Sequence, residues 1–160
     1  MFCKVDRSNI DFNCKVCGLY VTSHRVVSGV EHRNHCPNCL YSRHLDLFTA
    51  GDRLCACKGM MIPVGLTIKR TTDKYNTDAS GELMLVHHCL DCGALSINRI
   101  AADDDPLKLW AIFQNNLREN NSNCVNTEGA IHFLQDEDQQ LLQFRLFGRS
   151  SPAYPEKVHI

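Results

Sequence analysis

Eight of the ten cysteines in this chain stand in four close pairs: Cys14 with Cys17, Cys36 with Cys39, Cys55 with Cys57, and Cys89 with Cys92. A Cys-x-x-Cys step brings two thiolates within reach of one ion, and a tetrahedral Zn²⁺ takes two such pairs. Four pairs therefore close two sites, one from Cys14, Cys17, Cys36 and Cys39 and the other from Cys55, Cys57, Cys89 and Cys92. The expected cofactor is Zn²⁺, two ions per chain. Cys3 and Cys124 have no close partner and read as unligated.

A set of polar residues crowds the second pair. His32, Arg33, Asn34 and His35 run directly into Cys36, with His44 and Asp46 a few residues on and Asn98 and Arg99 after the last pair. Such donors suit either of two tasks. They can brace the zinc sites, with Asn34 and His35 bonding backbone or sulfur and with His44 and Asp46 orienting each other. Alternatively, Arg33, Arg53 and Arg99 can offer guanidinium groups to phosphate, although each also suits a local carboxylate such as Asp46 or Asp103.

The elements that must position these residues can be read in outline. Gly18 and Gly93 each follow the second cysteine of a pair, where a positive φ turns backbone N–H groups toward sulfur. Residues 19–30 are β-branched and end in turn residues, which predicts a hairpin returning the chain to Cys36. Residues 59–70 and 82–88 alternate apolar and polar positions and predict two strands joined by a polar loop over 71–81. This makes a β-rich fold of two zinc-ribbon or treble-clef-like units over residues 1–105.

Residues 106–160 change character and form a helix-led α+β extension. Asp105 can cap a helix whose first position is Pro106, with Asp103 and Asp104 at the positive end of its dipole. The helix is predicted over 106–117, with Leu109, Trp110, Phe113 and Leu117 on one apolar stripe. After an Asn-rich loop, segments 131–134 and 141–147 flank an acidic stretch and form either a hairpin or two short helical pieces; Leu142, Phe144 and Leu146 alternate with Gln143 and Arg145, which favours strands. The last eleven residues, with Pro152 and Pro155, read as an extended arm.

Composition sets bounds on function. At 160 residues and 44% hydrophobic, the chain is long enough for a core without disulfide staples. It shows neither a signal-peptide run nor an apolar stretch of bilayer length, so a cytoplasmic setting with reduced thiols is expected. The net charge of −1 conceals an asymmetry: residues 1–100 hold 12 Lys/Arg against 9 Asp/Glu, and residues 101–160 hold 5 against 9. Since Zn²⁺ with four thiolates carries a formal −2, part of the front's positive charge compensates its own metal centres.

One order of residues is specific enough to carry a resemblance. The run from His32 to Leu40, then Ser42, His44, Asp46, Gly51, Asp52, Arg53, Met61 and Pro63, and finally His87, Cys89, Cys92, Gly93 and Asn98 to Asp104, resembles the RNHCP family of small bacterial zinc-binding proteins. The resemblance covers residues 12–106. It implies a metal-binding fold and leaves the chemistry open. It also raises a question at the second site, because family members resemble this chain at Cys57 but generally lack a cysteine at the place of Cys55, while a histidine at the place of His87 is usual. His87 is thus an alternative to Cys55 as fourth ligand, since in a strand His87 and Cys89 point to one face.

Three function classes follow. The first is a non-enzymatic zinc module that binds RNA or the ribosome through Arg33, Arg53 and Arg99, with backbone contact favoured because few aromatics interleave with the cations. The second is a protein-interaction adaptor using the C-terminal extension. The third is a zinc-dependent enzyme of HNH-nuclease type, which fits poorly because the histidines crowd before one ligand and a full set of four ligands leaves no open coordination position.

Overall fold

The computed structural model describes residues 10–70, 81–119 and 131–148. The expectations for Cys3, Cys124, most of the 71–81 loop, the Asn-rich loop and the C-terminal arm fall outside these residues. Among the described residues no helix is long and apolar enough to cross a membrane.

The chain is β-rich, as its alternation predicts, and its centre is a meander. Strands β3 (Ser42–Arg43), β4 (Met60–Lys69), β5 (Glu82–Cys89) and β6 (Leu95–Arg99) pair antiparallel in that order. A separate two-stranded ribbon, β1 (Phe12–Asn13) with β2 (Tyr20–Val21), flanks the first cysteine pair. The β4–β5 register sets Leu66 opposite Leu85 and Met61 opposite Cys89, so the long hairpin delivers the last pair to one end of the sheet. A bulge between Pro63 and Gly65 interrupts the ladder. The freed carbonyl of Val64 there accepts from the buried Asn116 side chain at 3.0 Å, which removes the cost of leaving it unpaired.

Helix α2 (Pro106–Glu119) starts where the cap predicts, with the Leu107 N–H donating to the Asp105 carboxylate at 2.9 Å. Its stripe of Leu109, Trp110 and Phe113 is buried against Leu66 and Leu85 of the sheet and Leu40, which follows the second cysteine pair. Full burial of a large apolar side chain is worth about 1.5–3 kcal/mol, so this stripe alone accounts for the docking of the helix.

Two local expectations are corrected. Residues 19–30 do not form a hairpin: only Tyr20 and Val21 are strand, and a short helix α1 (Arg25–Ser28) follows. His24 caps it through its side chain, and Gly29 ends it at φ 70°. Residues 141–147 are helical rather than strand, within α3 (Gln139–Phe147). The alternating Leu142, Phe144 and Leu146 misled because only Leu142 is fully buried while Phe144 faces solvent. The acidic stretch that reads as a turn is instead the helix entry, a 3₁₀ turn at Asp136–Asp138 in which Asp138 accepts from the Gln135 N–H at 2.9 Å. Residues 131–134 contribute only an isolated bridge, Thr67 to Phe133, with the Leu134 N–H donating to Leu66.

Candidate metal centres

Three of the cysteine pairs fold into the same knuckle. In each, the first cysteine's carbonyl accepts from the residue after the second cysteine: Gly18 to Cys14 at 3.0 Å, Leu40 to Cys36 at 2.8 Å and Gly93 to Cys89 at 3.0 Å. The first cysteine's N–H then donates one residue further on, to Leu19, Tyr41 and Ala94 respectively. The turn needs a positive φ at its fifth residue, and Gly18 and Gly93 supply it at 74° and 76°. Leu40 takes the same conformation at φ 61°, a strained choice for a branched residue, and its side chain is fully buried in the main core. Core packing outweighs the backbone cost at that position.

The first and second pairs converge. Cys14, Cys17, Cys36 and Cys39 form one group, with Sγ–Sγ separations of 3.4 Å for Cys14–Cys39 and 3.6 Å for Cys17–Cys36. A tetrahedral ion with Zn–S bonds of about 2.3 Å needs sulfurs about 3.8 Å apart, so the cage has the size for Zn²⁺. Its electrostatics ask for a cation. The Leu19 N–H and the Asn38 side chain push the Cys17 thiol down to about 6, while burial raises those of Cys39 and Cys36. Four crowded thiols cannot all ionise unaided, and a divalent metal supplies the missing charge.

The second centre is completed by a residue the sequence reading had assigned elsewhere. His44, Cys57, Cys89 and Cys92 bring their ligand atoms within 4.8 Å of one another, with Cys57 Sγ to Cys89 Sγ at 3.6 Å and His44 Nδ1 to Cys92 Sγ at 3.2 Å. For bonds of about 2.1 Å to nitrogen and 2.3 Å to sulfur the tetrahedral edge is about 3.5 Å, and the set again fits zinc. The structure does not bring Cys55 or His87 into this group. The short strand β3 is responsible: Arg43 pairs with Met60, and the His44 N–H donates to the Gly59 carbonyl at 2.9 Å, which seats the imidazole beside Cys57. Cys55 is buried and anchored by its N–H on the Leu45 carbonyl. Asp46, paired with His44 in the sequence reading, instead binds the N–H groups of Gly51 and Arg53.

His87 has a different task. Its Nε2–H donates to the Leu40 carbonyl at 2.7 Å, and its Nδ1 accepts from Asn98 at 2.8 Å. Burial, reinforced by the nearby His35 ring, pushes its pKa down to about 3, so the ring is neutral and both nitrogens are engaged. It braces the second knuckle from beneath. Facing His87 and Cys89 to one side of a strand was not enough, because both ring nitrogens of His87 are committed to Leu40 and Asn98 and neither is left for an ion.

The arginines fare unequally as candidate phosphate contacts. Arg33 is corrected: its side chain is 0% exposed, meeting Asp103 at 2.8 Å, Asp104 at 3.4 Å and the His35 carbonyl at 3.2 Å. Asp104 also accepts from His35 Nε2–H at 2.8 Å and from the Ala101 N–H, so this buried cluster locks the second knuckle to the entry of α2. Arg53, 21% exposed, pairs with Asp46 at 3.4 Å and reaches the Arg33 carbonyl. Arg99 is 60% exposed and pairs with Glu82 at 3.0 Å.

The site and fold together define a β-rich zinc-binding protein with two four-ligand centres, one of four cysteines and one of three cysteines and a histidine, taking two Zn²⁺ per chain. The RNHCP domain model matches residues 9–110, and the chain belongs to that family. No curated protein and no solved structure matches it.

Proposed function

We propose that this chain is a non-enzymatic zinc module that binds RNA, on or within the translation apparatus, through a groove between its two metal centres. One observation carries the reading. Among the described residues Arg25, Arg33, Arg53 and Arg99 each pair with a carboxylate, whereas several other cations, Lys15, Arg43 and Lys58 among them, do not. These three line two adjoining clefts that share Phe12, Asn13, Lys15, Asn34 and Arg43 and run from the first knuckle to the second centre. Two of the three are held by backbone carbonyls: Arg43 donates to the Lys58 carbonyl at 2.8 Å, and the Lys58 ammonium donates to the Arg53 carbonyl at 2.9 Å.

Two carboxylates share the groove. Asp11 is engaged by the Ser23 N–H, the Tyr20 hydroxyl and the Thr22 hydroxyl, while Asp91 sits beside the second centre. The metal centres themselves carry formal charges of about −2 and −1. Few phosphates are therefore engaged, and the cations act as positioning contacts. Full coordination of both zincs by protein supports a structural role for each. Placement in translation rests on analogy with other small zinc ribbons.

Binding to a structured RNA, followed by fluorescence anisotropy, should weaken with salt at a log–log slope of about −2 to −3 for three phosphate contacts. Lys15→Ala, Arg43→Ala and Lys58→Ala should each reduce the slope by about one while leaving two zincs bound. Cosedimentation with ribosomal particles tests the location. Absence of any salt-sensitive RNA binding by fully metallated protein overturns the reading and favours the adaptor. That alternative has its own support in the loop carrying Leu47, Phe48 and Leu54, all solvent-facing and held by four backbone N–H bonds to Asp52.

A further inference from the structure

The cation groove opens at one end into a cleft of about 470 Å³ whose lining is mostly apolar. Its lining includes Ile10 and Phe12 from the β1 side and Leu45 from the segment after β3, together with the cations Lys15 and Arg43 and the hydrogen-bonded carboxylate of Asp11. That volume lies in the range of small-molecule sites, far larger than phosphate contact alone requires. The side-chain amides of Asn13 and Asn34 also line it, and neither has a partner among the described residues. Asn34 uses only its backbone carbonyl, which accepts from Ser42 Oγ at 2.9 Å.

We infer that this cleft seats one unstacked nucleotide of single-stranded RNA, its base between Phe12 and Leu45 and its phosphate against Lys15 and Arg43. The inference rests on the RNA reading above and narrows it to strand type. A nucleobase offers a flat apolar face to the phenyl ring and an edge of paired donors and acceptors, and an unpartnered amide carries both roles. A base within a duplex presents neither feature to a concave site, since its faces are stacked and its edge is paired. A phosphotyrosine would satisfy the ring and the cations but would leave both amides without a partner.

The test uses the full-length zinc-loaded protein. A ten-nucleotide single strand should bind about tenfold tighter than a ten-base-pair duplex of matching sequence at 100 mM salt, the scale expected for one stacked base. Phe12→Ala should abolish that preference without changing the salt slope. Phe12 also packs against the cluster of Cys14, Val21 and Cys36, so its truncation can disturb the first zinc site. Ile10→Ala is the companion variant, because Ile10 is 59% exposed and its loss leaves no core cavity; it should weaken the single strand about threefold with two zincs retained. In an NMR titration, AMP should shift the Phe12, Asn13, Asn34 and Leu45 resonances, and ribose 5-phosphate should shift only those of Lys15 and Arg43. Equal, salt-sensitive binding of single strand and duplex overturns this inference and leaves the groove reading intact. Identical responses to AMP and ribose 5-phosphate also overturn it, as does tighter binding of a phosphotyrosine peptide than of the single strand. Loss of all salt-sensitive binding removes both readings together.

Discussion

Replacing His44 separates the two descriptions of the second metal centre most sharply. With Cys14, Cys17, Cys36 and Cys39 at one ion and Cys57, Cys89, Cys92 and His44 at the other, seven sulfurs and one nitrogen serve two zincs. The average zinc then sees about 3.5 sulfurs at roughly 2.3 Å and about 0.5 nitrogen at roughly 2.0–2.1 Å. Had Cys55 been the fourth ligand, the average would be about 4 sulfurs and no nitrogen. Zinc-edge X-ray absorption distinguishes these, and native mass spectrometry counts the ions. His44→Ala should release one zinc or leave it labile to chelator, whereas His44→Cys should keep two and raise the sulfur average to about 4. Cys55→Ser and His87→Ala should both retain two zincs and the wild-type spectrum. A wild-type average of about 4 sulfurs, or loss of metal from Cys55→Ser with His44→Ala unaffected, would refute the assignment.

Two further outcomes follow from the buried polar groups. Arg33→Ala leaves Asp104 buried with only His35 and the Ala101 N–H as partners and strands part of Asp103; chemical denaturation should show a loss of about 3–5 kcal/mol, while the salt dependence of RNA binding stays as in wild type, because Arg33 reaches no solvent. His87→Ala strands the Leu40 carbonyl and opens a cavity beside the second knuckle; it should cost about 2–5 kcal/mol of stability, read in the same assay, with both zincs still bound.

The residues that were legible in the sequence are those whose role depends on near neighbours. A knuckle is closed within six residues, so Cys14 to Leu19, Cys36 to Tyr41 and Cys89 to Ala94 were readable as metal-binding turns from spacing alone. Asp105 and Pro106 begin a helix through contacts one or two positions away, and the alternation of 59–70 and 82–88 yields a hairpin whichever partner covers it. The order of the RNHCP residues placed the chain in its family and implied zinc, and the domain match over 9–110 agrees.

Tertiary structure decided what distance along the chain conceals. His44 becomes a ligand because β3 pairs with β4 in one register, bringing it against Gly59, thirteen residues from Cys57 and forty-eight from Cys92. A two-residue strand carries no periodicity to announce it. Arg33 looks like a surface cation until Asp103 and Asp104, seventy residues on, enclose it. Alternation over 141–147 suited a strand equally well until α2 and the sheet offered a helix one buried position, Leu142, and a capped acidic entry. Cysteine spacing determines that two ions bind, because chelation is local. Which side chain supplies the eighth ligand, and which cations stay free to meet an anion, depends on how distant segments pack.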